Sequence, residues 1–183
     1  APAVTLPPPP SPPPPSAPPV AGEAVTLAAD FAERYQLGDE LARGGLARIR
    51  DAYDRVLQRQ VAVKQLLARH GDADARFLRE ARITGRLAHP NIVPIYDLGL
   101  DADGAPFYAM KWVRGRSLHE LIDDRITLDD RLALLPHVLA IADALAYAHA
   151  VGVLHRDLKP ANVLVGDFGE TIVIDWGLAL ELE

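Results

Sequence analysis

The sequence predicts an α+β fold: a small, mostly antiparallel sheet with one helix, followed by a mainly helical part. Three observations predict it. Five short apolar segments with strand patterning lie between residues 35 and 113, and one run with helical spacing interrupts them. A longer run at helical spacing fills residues 130–150. Eleven of the sixteen prolines fall within the first nineteen residues, which sets that end apart from both parts.

The elements follow in order. Pro7 to Pro15 is broken only by Ser11. It lacks backbone donors and apolar bulk, so residues 1–30 are expected to be a disordered, solvated linker of polyproline II character. A spacer is the plain reading. A ligand for SH3- or WW-like domains is the sharper one, although no basic residue flanks the prolines to orient them. Tyr35–Leu41, Ala47–Asp54 and Gln60–Gln65 read as strands, and Val61-Ala62-Val63-Lys64 is a buried strand that ends in a charge. Asp72–Leu87 reads as a helix. Asp72 and Asp74 lie near its start, and Phe77, Ala81 and Thr84 recur at three-to-four spacing. Asn91–Leu98 and Pro106–Val113 are two more strands, joined by a turn at Asp101-Ala102-Asp103-Gly104.

A second helix is expected over 130–150, with Leu134, Val138, Ile141, Leu145 and Ala148 on its covered face and Leu139, Ala142 and Ala146 beside it. Pro136 lacks a donor, so either the helix kinks there or the regular helix begins there. Val163–Val165 and Thr171–Ile174 form a last hairpin across Gly166–Glu170.

Composition narrows the function classes. The chain has 183 residues, 49% of them hydrophobic, which suits a soluble domain with a sizeable core. A net charge of −6 gives no support to a nucleic-acid partner. There is no cysteine, which fits a cytoplasmic location and excludes disulfide and thiol chemistry. No run of eighteen apolar residues and no signal peptide is visible, so no membrane segment is expected. The sole methionine is Met110, so the chain reads as a piece of something longer.

The chemistry concentrates in His155-Arg156-Asp157-Leu158-Lys159-Pro160-Ala161-Asn162, followed by the hairpin and Asp175-Trp176-Gly177. Asp157 and Asn162 are five apart, and Asp175 lies 18 residues past Asp157. Lys64 closes an apolar strand, and a half-buried ammonium needs a partner. Taken singly, each of these polar residues would be a solvated loop or face residue. Together they match the H-R-D-x-x-x-x-N and D-x-G template.

Over roughly Tyr35–Ala179 the chain resembles the eukaryotic-like Ser/Thr protein kinases of bacteria. The resemblance implies a kinase-like architecture: N-lobe and hinge over 31–113, and a partial C-lobe over 114–183 that ends before the activation segment is complete. It implies ATP and Mg²⁺ as cofactors and a protein Ser/Thr hydroxyl as acceptor. Phosphoryl transfer needs cations on the phosphates, a metal bridge and an oriented nucleophile. By resemblance, Lys64 binds the α- and β-phosphates and Glu80 is its partner. Asp157 orients the acceptor hydroxyl, and Lys159 stabilises charge on the transferring group. Asn162 and Asp175 hold Mg²⁺, which prefers oxygen ligands. Leu41, Ile49, Ala62 and Leu164 fall at apolar positions around the base, Met110 at the gatekeeper, and Lys111 and Val113 at the hinge. Ser117 falls where many kinases contact the ribose. Arg156 falls where the family pairs with a phosphorylated residue.

Two departures stand out. Only Gly44 of the G-x-G-x-x-G template survives in Ala42-Arg43-Gly44-Gly45-Leu46-Ala47, and the Cβ of alanine limits close approach to phosphates. Asp167-Phe168-Gly169 is a literal D-F-G, yet it reads as turn chemistry, so Asp175 takes the metal role. The expected activity is that of an ATP-dependent protein Ser/Thr kinase, present here as a fragment that is weakly active or inactive. The alternative is a non-catalytic, pseudokinase-like nucleotide-binding module.

Overall fold

The computed structural model describes residues 30–67 and 71–182. The expected linker lies outside the described residues except for Asp30. A short helix α1 (Phe31–Arg34) leads into β1 (Tyr35–Arg43), β2 (Ala47–Asp54) and β3 (Arg59–Leu66). Helix α2 (Gly71–Arg86), β4 (Ile95–Leu100) and β5 (Pro106–Lys111) complete an antiparallel sheet of order β1-β2-β3-β5-β4.

Alternation along the strands gives this sheet two working faces. Val61 and Val63 of β3, Phe107 and Ala109 of β5 and Ala52 of β2 point to one face, where Tyr35 and Phe31 cover them. Ala62 and Lys64 of β3 share the other face with Tyr108 and Met110 of β5, because Ala62 pairs with Met110 and Lys64 with Tyr108. Helix α2 closes part of this second face. Its residues Ala73, Phe77 and Ala81, one apolar stripe, pack on Leu66 and Tyr108.

Most expected boundaries hold to within two residues. The strand expected from Asn91 is the exception, since β4 begins at Ile95. The segment before it is captured by another element: Asn91 Nδ2 donates to Thr171 O, Val93 N–H donates to Val173 O, and Ile92 bridges Val173.

The second part holds β6 (Gly115–Ser117), α3 (Leu118–Asp123), α4 (Leu128–Leu132) and α5 (Leu135–Ala150). After β7 (Val153–Leu154), a 3₁₀ turn at Pro160–Asn162 precedes β8 (Val163–Gly166) and β9 (Thr171–Val173), and β10 (Leu180–Glu181) pairs with β7. The run expected to be helical over 130–150 divides into α4 and α5, and of the two outcomes open at Pro136 the regular helix begins there. Pro136 sits in the first turn of α5, where its missing donor costs nothing.

The expected covered face of α5 needs correction. Leu134, Ala144 and Ala148 are buried, whereas Val138 is half exposed. Both i+3 and i+4 steps fit a helical stripe, and here the i+3 position His137 is the one that turns inward, onto Thr171. Leu139, Ala142 and Ala146 are exposed, as their spacing implied. By length and composition, Leu128–Ala150 is long and apolar enough to cross a membrane. It is nevertheless interrupted before Pro136 and packs Ala144 and Ala148 into the core around Trp176, Val173 and Ile83.

Candidate active site

The inner sheet face, the β8–β9 hairpin and the Asp175-Trp176-Gly177 turn enclose a cavity of about 830 Å³. That volume falls in the usual range for a small-molecule site. Its upper wall carries Leu41, Gly44, Ile49, Ala62 and Lys64. Met110, Lys111 and Val113 form its back and rim, and Asn162, Leu164 and Asp175 its floor. Glu80 reaches it from α2. Of the residues given roles from sequence, Asp157, Lys159, Ser117 and Arg156 do not line it, and the first two connect to it through Asn162.

Lys64 Nζ lies 2.6 Å from Glu80 Oε1, with the two side chains only 16% and 10% exposed. An unpaired charge at such burial would be costly, so each stabilises the other. The pair depends on placement by separate elements, since α2 must dock on β3 and β5 to deliver Glu80. Tyr108 adds a second donor to the same oxygen, its hydroxyl 2.8 Å from Glu80 Oε1. Burial, with the charges of Glu80 and Asp175 behind it, pushes the Tyr108 phenol well above its ordinary range, so it stays a donor.

The polar loop below is built from its own backbone. Asp157 N–H donates to His155 Nδ1 at 3.3 Å, so His155 carries its proton on Nε2, which meets Ile174 O at 3.1 Å. The buried imidazole thus ties the loop to the strand leading into Asp175, and it packs against Trp176 with ring centroids 4.5 Å apart. Asn162 Nδ2 donates to Asp157 O at 2.9 Å and Oδ2 at 3.1 Å. The amide nitrogen is thereby engaged, which leaves Oδ1 as the atom to face a cation. Lys159 Nζ sits 2.8 Å from Asp157 Oδ2. Its hydrogen bond holds the Asp157 carboxyl below the usual carboxylate range, and Lys159 is raised in turn.

Arg156 and Asp175 both adopt left-handed backbone, with φ of 63° and 62°. Non-glycine residues hold that conformation only where their surroundings over-determine it. Ile174 N–H donates to Asn162 O at 2.9 Å, and Arg156 Nε donates to Leu178 O at 2.7 Å. A Cβ on Gly177 would lie 3.3 Å from both Asp175 Oδ1 and Glu80 Oε2. The two carboxylates therefore approach each other over that glycine. Among the described residues, no group of three or more His, Cys, Asp or Glu forms a metal cage. Mg²⁺ does not need one, because one or two protein oxygens suffice beside phosphate oxygens and water. Asn162 and Asp175 supply such a pair on the cavity floor.

The structure separates the two D-x-G sequences. Asp167 lies in the β8–β9 turn with its N–H on Arg114 O, Gly169 has φ 82°, and Phe168 is 97% exposed. Asp175 lines the cavity and Trp176 is 1% exposed in the core. In the glycine-rich turn, Gly44 N–H donates to Ala47 O at 2.8 Å, so that donor is spent on the hairpin. Ser117 caps α3 in a capping box with Glu120 and does not line the cavity. Three contributors escaped the sequence reading: the hydroxyl of Tyr108, the bridging role of His155, and the Trp112–Arg114 stack at the rim, 4.4 Å from guanidinium carbon to ring centroid. Two of them left a sequence signal: alternation in β5 places Tyr108 on the same face as Met110, and His155 opens the motif that marks the chemistry.

Residues 35–183 match the protein kinase domain family. The chain is 42% identical over 159 residues to serine/threonine-protein kinase PknD of Protochlamydia amoebophila, covering 79% of this chain and 16% of that protein. It is 44% identical over 152 residues to a probable serine/threonine-protein kinase of Streptomyces coelicolor, covering 80% and 22%. It is 35% identical over 164 residues to the PknD kinase of Chlamydia caviae, covering 82% and 18%. The chain thus spans between 16% and 22% of the length of these relatives.

Proposed function

The chain belongs to the protein kinase family, and on that premise we propose that it is the nucleotide-binding part of an ATP-dependent protein serine/threonine kinase. One observation carries the reading: Lys64 with Glu80, and Asn162 with Asp175, face one cavity of nucleotide size from opposite walls. Cations are needed on the phosphates and oxygens on the metal, and each wall supplies one of these. Bound ATP with Mg²⁺ supplies the activated phosphoryl group and neutralises its developing charge. Ala62, Ile49 and Leu164 would hold the base, and Lys64 would meet the phosphates. Asn162 Oδ1 and the Asp175 carboxylate would hold the metal. Asp157, ionised throughout the neutral range, orients a Ser or Thr hydroxyl of a protein substrate and takes its proton. Lys159, held against Asp157, is placed to stabilise the transferring charge.

Titration calorimetry of the chain with Mg·ATP tests the binding half. Lys64→Met and Asp175→Asn should each weaken binding, and Asp167→Asn should not. If Asp167→Asn weakens Mg-dependent binding and Asp175→Asn does not, the metal assignment is wrong. For the catalytic half, Asp157→Ala in the full-length parent should cost on the order of 10²–10⁴ in transfer rate. Wild-type transfer by that variant would sink it.

A further inference from the structure

The Lys64–Glu80 pair has a third member. Lys64 and Tyr108 face each other directly across the β3–β5 ladder. From there the Tyr108 ring contacts α2 twice. It packs on Phe77 with centroids 5.1 Å apart, and its hydroxyl reaches Glu80 Oε1, the oxygen that Lys64 also holds. Phe77 and Glu80 are three residues apart on one helix face. Tyr108 therefore ties α2 to the sheet through packing and through a charge-assisted hydrogen bond that does not involve Lys64.

We propose that Tyr108 is a positioning residue: its hydroxyl holds Glu80, and with it α2, so that Lys64 can turn part of its hydrogen bonding to a nucleotide's phosphates without α2 drifting away. This rests on the assignment of Lys64 to the phosphates. An ammonium that must leave its only partner to meet a ligand strands a buried carboxylate, and the penalty for an unsatisfied buried charge falls on ligand binding. With the phenol in place, Glu80 keeps a donor throughout. The tether acts only through the phosphate-binding lysine, so its effect depends on the ligand having phosphates.

That dependence separates the proposal from a purely structural role. Affinities of the full chain for Mg·ATP and for adenosine are measured by calorimetry, with Tyr108→Phe, Lys64→Met and the double variant. Tyr108→Phe keeps the ring on Phe77 and should lower Mg·ATP affinity about ten- to 150-fold, the range for losing one hydrogen bond to a charged group. Adenosine affinity should stay unchanged. In the Lys64→Met background, Tyr108→Phe should cost nothing further. Thermal unfolding checks that each variant folds, and Tyr108→Met stands in should the phenylalanine variant not fold. Equal loss of ATP and adenosine affinity, no loss of either, or full additivity with Lys64→Met would overturn the proposal. If Lys64→Met itself leaves Mg·ATP affinity intact, the phosphate assignment falls first and takes this inference with it. An intact effect of Lys64→Met with a silent Tyr108→Phe overturns the inference alone.

Discussion

The sheet packs against partners on both of its faces, whereas α5 in the part from α3 to β10 packs on one side. In the first, Phe31 and Tyr35 cover one face and α2 closes part of the other. In the second, Leu134, Ala144 and Ala148 face inward while Leu128, Leu135 and Leu139 stand 71%, 52% and 67% exposed. The contrast is one of packing layers. A sheet stops exposing apolar surface once each face has a partner, but a helix such as α5, apolar around most of its circumference, needs partners on more than one side. Exposed apolar patches of this kind on a soluble protein mark surfaces that associate. The candidate cavity therefore joins a wall packed on both faces to a wall whose support is one-sided.

The largest effect expected from this contrast is in core stability. Phe107→Ala, in the closed sheet, should cost about 3–5 kcal/mol in denaturant unfolding. Leu139→Ala on α5 should stay within about 0.5 kcal/mol. Equal costs would mean that the outer face of α5 is covered in solution, and the comparison would fail.

Next comes the charged clasp that closes the sheet end. Arg34 lies 3.1 Å from the fully buried Asp54 and 3.0 Å from Asp97, and the Tyr35 hydroxyl donates to Asp97 at 2.9 Å. Burial pushes the Asp54 carboxyl up, but the hydrogen bonds from Arg34 and from the Leu57 and Val56 N–H groups outweigh it and leave Asp54 below its ordinary value. A depressed folded value means stability that is present above the unfolded carboxylate range, near pH 4, and lost as pH falls through the folded value. Stability of the wild-type chain should fall on acidification below about pH 5 more steeply than that of Asp54→Asn, followed by unfolding at a series of pH values. Parallel acid limbs would show that the clasp carries no such linkage. At neutral pH, Arg34→Ala should cost about 1.5–3 kcal/mol, the worth of a hydrogen bond to a charged group.

A third test addresses the open face itself. Leu139→Lys should shift the solution mass of the chain toward the monomer, with little change in unfolding midpoint. A wild-type chain already monodisperse as a monomer would show that the exposed face does not associate. The smallest effect is expected at the end of β5, where Lys111 sits 3.6 Å from Glu170 and both are about one third exposed. Lys111→Ala should change stability by no more than about 1 kcal/mol, since exposed pairs are screened. A larger loss would make the contact between the two parts tighter than its geometry suggests.

The sequence alone determined what local rules govern. Alternation gave the strands, the spacing of Phe77, Ala81 and Thr84 gave α2, and the eight residues from His155 to Asn162 with Asp175 marked the chemistry. Turn residues at Gly166 and Gly169 already told Asp167 from Asp175. These are legible because a period or a fixed spacing within one segment is a property of that segment. Only the tertiary structure decided the rest. Asn91 and Val93 leave the expected strand because β9, eighty residues away, offers them better partners. His137 rather than Val138 turns inward because Thr171 waits there. Tyr108 joins Lys64 and Glu80 because the β3–β5 register and the docking of α2 bring three distant residues to one oxygen. Each of these depends on the free energy of a contact between separate segments, and local patterning carries no information about that partner.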